Sequence, residues 1–151
     1  MKTRPFNSNT EISLRVLLTL LCNESNANLT TDRIAILDFV TIYTKEFGLS
    51  EDSLHGDNDF SFTEYATRRK QINENVKQLV LKRMVKIYTT DNGFTYSITD
   101  SGKKIAESLN SEYAHQYLDY AELARNYVHN KSEADISRLI AEESARALRR
   151  R

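Results

Sequence analysis

The chain has 151 residues, 40% of them hydrophobic and 28% charged, which suits one globular domain with a real core and excludes a disordered chain. Lys plus Arg and Asp plus Glu each total 21, so a uniformly basic nucleic-acid binder is excluded and any binding must come from local charge segregation. One cysteine, Cys22, excludes an internal disulfide or a cysteine zinc site, and one proline with four glycines favours long helices.

In chain order, the polar start Met1 to Asn9 carries no signal peptide or membrane span, which points to the cytoplasm. A first helix is expected from about Thr10 to Leu21, capped by Ser8, Asn9 or Thr10. Ile12, Leu14, Val16, Leu17, Leu18, Leu20 and Leu21 leave it almost no polar face, so it is expected to be buried on most sides, with Cys22 a buried thiol. A polar turn over Asn23 to Asn28 follows. A second helix is expected from Thr30 or Thr31 to about Phe47, with Gly48 as its stop signal and a face of Ile36, Phe39, Val40, Tyr43 and Phe47.

A polar loop spans Leu49 to Phe60. A third helix then opens on Ser61-Phe62-Thr63-Glu64, spaced as a capping box, and runs to about Arg83. Its inner face is Tyr65, Ile72, Val76, Leu79 and Val80. Val85 to Thr89 and Thr95 to Ile98 alternate around Asp91-Asn92-Gly93, a strong hairpin signal. Thr99 caps a fourth helix carrying Ile105, Leu109, Tyr113, Tyr117, Tyr120, Ala124 and Tyr127, continuous or broken near Ser111. Ser132 caps a last helix from about Glu133 to Leu148.

Three helices, a two-stranded wing and further helices describe a mainly α winged helix-turn-helix. Residues 1–105 are expected to form the winged-helix domain. Residues 106–151 are a C-terminal helical extension, packed on it or on a partner.

No catalytic constellation is legible. His55, His115 and His129 lack metal-ligand spacing, and there is no phosphate loop or nucleophile elbow. His55, Asp57 and Asp59 could hold a divalent ion, or could be an ordinary solvated loop, which leaves a small enzyme as one reading. Arg68, Arg69, Lys70 and Lys77 make the third helix locally basic. That pattern fits contact with DNA or an acidic partner, or a plain solvated face. Tyr113, Tyr117, Tyr120 and Tyr127 form a seam at steps of 4, 3 and 7. Neighbouring Glu112, Asp119 and Glu122 argue for packing, internal or as a protein interface, over nucleic-acid stacking.

Several ordered motifs carry a resemblance over nearly the whole chain. They are Asn7-Ser8, Glu11 and Leu14-Arg15 in the first helix, Leu37-Asp38-Phe39 in the second, and Ser53-Leu54-His55 in the loop. Arg68-Arg69, Met84-Val85, Ser111-Glu112-Tyr113-Ala114, Leu118, Ala121 and Ser132 follow. The chain thus resembles the middle component of ABC-three-component, or Lamassu-type, bacterial defence systems. That resemblance implies a non-catalytic subunit without a cofactor. Such a subunit joins an SMC or Rad50-like ATPase to an effector, often a nuclease, and reaches DNA through the complex. The rival reading is a winged-helix transcription regulator, a homodimer binding duplex DNA by itself.

Overall fold

The computed structural model describes residues 8–25, 29–56, 61–91 and 93–149. Helix α1 (Asn9–Cys22) begins where the Ser8 hydroxyl accepts the Glu11 amide at 3.1 Å, and α2 (Thr31–Ile42) where Thr30 accepts that of Arg33 at 3.1 Å. Both are buried nearly all round, as their continuous apolar runs require: Ile12 and Val16 to Leu20 in α1, Ile34 to Ile42 in α2.

The second helix ends earlier than its periodicity predicts. Tyr43 leaves helical geometry, and Thr44–Phe47 form a separate 3-10 turn. Thr41 donates back to the Leu37 carbonyl at 2.6 Å, a contact that bends helices. The buried Thr44 hydroxyl meets Ser50 Oγ at 2.6 Å, and the Lys45 amide donates to Ser53 Oγ at 3.1 Å. These polar ties to the following loop replace the helical ladder. Gly48 then stops the turn at φ 73°, the left-handed conformation glycine tolerates.

The expected capping box at Ser61 does not form. Ser61–Glu64 is a 3-10 turn, and the buried Ser61 Oγ has no partner among the described residues. Helix α3 (Tyr65–Leu81) continues from it between α1 and α2. It ends in a Schellman motif: the Met84 amide donates to Leu79 O and the Arg83 amide to Val80 O, both at 3.0 Å. Arg83 takes the left-handed position at φ 63°, where a side chain costs about 1–2 kcal/mol. Allowing for the entropy glycine loses on folding, Arg83→Gly is expected to raise stability by up to about 1 kcal/mol. Thermal unfolding checks this as a rise of a few degrees.

Strands β1 (Val85–Thr90) and β2 (Gly93–Ile98) pair antiparallel, Val85 opposite Ile98 and Thr90 opposite Gly93. Asn92 lies outside the described residues. Leu29 adds an isolated bridge on the far side of β2, to Tyr96. The Thr99 hydroxyl caps α4 (Asp100–Ser108), and Ser111 caps α5 (Glu112–Val128), so the long tyrosine helix is two helices. The Ser132 hydroxyl accepts the Asp135 amide at the start of α6 (Glu133–Arg149).

The result is a mainly α fold with one small antiparallel sheet, a winged helix-turn-helix with further C-terminal helices. The extension is no detached arm. Helix α5 packs on α1 and α2, and α6 on α2 and the 3-10 turn at Ser61. Ala114, Tyr117, Ala121, Ala124, Val128, Ile136 and Ile140 join the same core as the first two helices.

Candidate functional site

A buried polar cluster lies where α1, α2 and α5 meet. Arg15 on α1 and Asp38 on α2 are 2% and 1% exposed, yet both are charged. Isolated charges at that depth are untenable, so each must answer the other. Arg15 Nε donates to Asp38 Oδ1 at 3.0 Å and Nη2 to Oδ2 at 3.4 Å. Tyr117, fully buried on α5, donates its hydroxyl to the same Oδ1 at 2.5 Å and meets Thr19 Oγ1 at 2.8 Å. Burial alone would raise the Asp38 pKa. The Arg15 charge and the hydrogen bonds from Tyr117 and Arg15 outweigh it and hold the carboxyl below its ordinary range.

The cluster extends sideways. His55 Nε2 meets the Tyr113 hydroxyl at 2.6 Å, and the His55 ring stands edge-on to Tyr43. Arg68 Nη2 donates to the Tyr43 hydroxyl at 3.2 Å and to Glu64 Oε2 at 3.5 Å. Burial, reinforced by the nearby Arg15 charge, pushes the His55 pKa down to about 3. An unfolded chain protonates this imidazole near pH 6.5, while the folded one does not. Stability is therefore full above pH 6.5 and falls as the pH drops toward 3. The expected loss is about 2 kcal/mol between pH 7 and pH 5. Urea titrations across that range check it, and His55→Gln is expected to flatten the dependence.

The cationic residues of α3 divide into two groups. Arg68 is turned inward, 9% exposed, with its guanidinium 5.5 Å from the Tyr43 ring centre. Of the four cations expected to contact DNA or an acidic partner, it is the one that the packing of α3 between α1 and α2 buries. Arg69 stays exposed but is held by Asp32, Nε to Oδ1 at 2.7 Å. Lys70 and Lys77 are exposed and have no carboxylate within ion-pairing distance among the described residues.

The tyrosine seam divides similarly. Tyr117, one of the four tyrosines expected at a protein interface, is placed in the core of this chain, its phenol bonded to Asp38 and Thr19. Tyr113 is half-buried against His55 and Tyr117. Tyr127 packs on Phe47, with Lys131 Nζ 4.0 Å from its ring centre. Tyr120 is half-buried.

The Arg15–Asp38 pair is absent from the expected sites, although a signal existed. Arg15 stands alone in an apolar helix and Asp38 sits within Ile34 to Ile42, where burial leaves no alternative to pairing. Among the described residues, no group of three or more His, Cys, Asp and Glu could hold a metal. Asp57 and Asp59, the partners proposed for His55, lie outside them. No described helix is long and apolar enough to cross a membrane. An open groove of about 680 Å³ runs between α1, α3 and α4 over Leu14, Leu17, Leu79, Met84 and Ile105. The buried Asn75 at its wall is already satisfied, by Ser13 Oγ and the Gln71 carbonyl, both at 2.8 Å.

Residues 5–150 match the family model described as ABC-three component (ABC-3C) system Middle Component 2. No curated protein and no solved structure matches the chain.

Proposed function

The chain belongs to the ABC-three component (ABC-3C) system Middle Component 2 family, and from that premise we propose that it is a non-catalytic bridging subunit. It joins an SMC or Rad50-like ATPase to an effector nuclease in a cytoplasmic anti-phage or anti-plasmid complex.

One observation carries the non-catalytic part. Five of the eight ionisable residues of the motifs behind the family resemblance, Arg15, Asp38, His55, Arg68 and Tyr113, converge in the interior, while Glu11, Arg69 and Glu112 stay at least partly exposed. The five bind α1, α2, α3 and α5 to one another. Catalysis needs such groups within reach of a substrate. Here Arg15 is engaged with Asp38, His55 with Tyr113, and Arg68 with Tyr43 and Glu64, and a core tied in this way with several exposed helical faces is what a connector requires. Lys70, Lys77, Tyr120 and the open edge of Tyr127 remain available as contacts, the lysines for DNA or an acidic protein face.

Purified wild-type chain mixed with the ATPase and effector components tests this reading. A ternary complex that loses the effector when this chain is omitted is the expected result. The transcription-regulator reading predicts instead that the free chain binds one defined duplex, with affinity falling steeply as salt rises. Duplex binding without assembly would overturn the bridging role.

A further inference from the structure

The large exposed apolar side chains are unevenly placed. Leu81 is 75% exposed, Phe94 57%, Ile87 44% and Tyr88 42%. All four lie between the last residue of α3 and the start of β2; a fifth, Leu123, 37% exposed, stands apart on α5. The register explains three of them. Val85, Ile87 and Thr89 share one face of the hairpin with Phe94, Tyr96 and Ile98. At the root this face is core, Val85 and Tyr96 being buried. Toward the tip it runs off the body of the protein and leaves Ile87 and Phe94 uncovered. Tyr88 is uncovered on the opposite face.

The outer edge of β1 is also open. Tyr96 exchanges both backbone hydrogen bonds with Leu29, at 2.8 and 3.2 Å, on the far side of β2. Opposite residues alternate in an antiparallel ladder, so Ile87, facing Tyr96, is a non-hydrogen-bonded position. The amides and carbonyls of Ile87 and Thr89 therefore point away from β2, toward an edge that no described strand occupies. Lys86 is the sole charge on this strand, which leaves the edge lightly guarded against pairing.

The charge around this apolar tip is mostly positive, the exposed Asp91 in the turn between the strands being the exception. Residues 75–90 hold Lys77, Lys82, Arg83 and Lys86 and no Asp or Glu. None of these cations has a carboxylate within ion-pairing distance among the described residues, whereas Arg69 and Lys103 are both paired. We infer that the end of α3 and the wing are the docking surface for a protein partner presenting an apolar groove rimmed by carboxylates.

An apolar centre with a cationic rim is the anatomy of a protein interface. A duplex backbone rewards the lysines but gains nothing from Leu81, Ile87 and Phe94, and the exposed Glu74 between Lys70 and Lys77 would face its phosphates. The inference rests on the bridging role and assigns that role's contact face.

The test uses the full chain with the purified ATPase and effector components, each titrated separately at two salt concentrations. Ile87→Glu with Phe94→Glu, and Lys82→Glu with Lys86→Glu, alter exposed positions; Leu123→Glu, on α5, is the control. Circular dichroism and urea midpoints confirm that each variant folds. Both wing variants are expected to weaken binding to one component about tenfold or more, as truncation of an interface centre does. The control leaves it unchanged, and salt weakens the wild-type complex. Undiminished binding by the folded wing variants overturns this surface while leaving the bridging role intact. So do variants that keep both components and lose duplex DNA. Failure of the wild-type chain to bind either component overturns the bridging role, and the surface with it.

Discussion

Asp38→Ala is expected to cost about 3–5 kcal/mol of folding stability, enough to unfold a domain of ordinary marginal stability. The substitution leaves the Arg15 guanidinium, 2% exposed, without its counter-charge and the Tyr117 hydroxyl without its carboxylate acceptor, Thr19 Oγ1 being its remaining partner. Desolvation of the orphaned cation dominates the loss. Asp38→Asn keeps the volume but removes the charge, so its cost is expected to fall close to that of alanine. Arg15→Met combined with Asp38→Leu removes both charges and is expected to recover most of the loss, since apolar replacement of a buried ion pair is often neutral. Tyr117→Phe in that background then isolates the phenol, whose hydroxyl there keeps only Thr19 Oγ1 as a partner. Urea unfolding of this set reads the coupling directly. A double variant no more stable than Asp38→Ala would show that packing, and not charge, sets the cost. Acid adds a second signature. The Asp38 pKa is held below its unfolded value, so its stabilisation is complete above about pH 4 and is lost as the pH falls through the lower folded value.

This pair also marks how far the sequence could be read. Elements written in local chemistry were legible: apolar runs for α1 and α2, alternation around Asp91, hydroxyl caps at Ser8, Thr99 and Ser132. Each depends on residues within one or two turns. Features decided by distant partners were not. Tyr43 breaks α2 because Thr44 and Lys45 bond to Ser50 and Ser53 in the loop beyond it. Arg68 turns inward because Tyr43, 25 positions earlier, waits there. Tyr117 looks like part of an aromatic seam until Asp38, 79 positions away, claims its hydroxyl. A helical stripe says that a side chain packs, but not whether its partner lies in the same chain. The exposed apolar tip was hidden for the converse reason. Period-two alternation predicts a covered face, and only the tertiary arrangement shows that Ile87 and Phe94 extend past the cover.

Gly102→Ala is expected to cost about 1–3 kcal/mol by overpacking, since of the four glycines it is the one whose added methyl meets close neighbours. A Cβ there would lie 2.2 Å from the Met84 carbonyl oxygen and 3.0 Å from Ile98 Cγ1. The first neighbour is backbone, and it is already engaged: the Met84 carbonyl accepts the Thr99 amide at 3.1 Å, while Arg83 O accepts the Thr99 hydroxyl at 2.8 Å. Neither side can yield cheaply. Helix α4 is anchored by Thr99, whose hydroxyl accepts the Gly102 amide at 3.0 Å, and the wing's first strand begins one residue after Met84. The methyl therefore forces α4 away from the root of the hairpin. Ala is otherwise the better helix former by about 1 kcal/mol, so intrinsic propensity predicts the opposite sign. Thermal unfolding separates the two: a lower midpoint follows from the clash, a higher one from propensity. Hydrogen exchange locates the strain, with loss of protection expected first at Thr99 and along β1 and β2 while α1 and α2 remain protected. If the wing is the docking face, this buried methyl also weakens partner binding by displacing Ile87 and Phe94 without altering either.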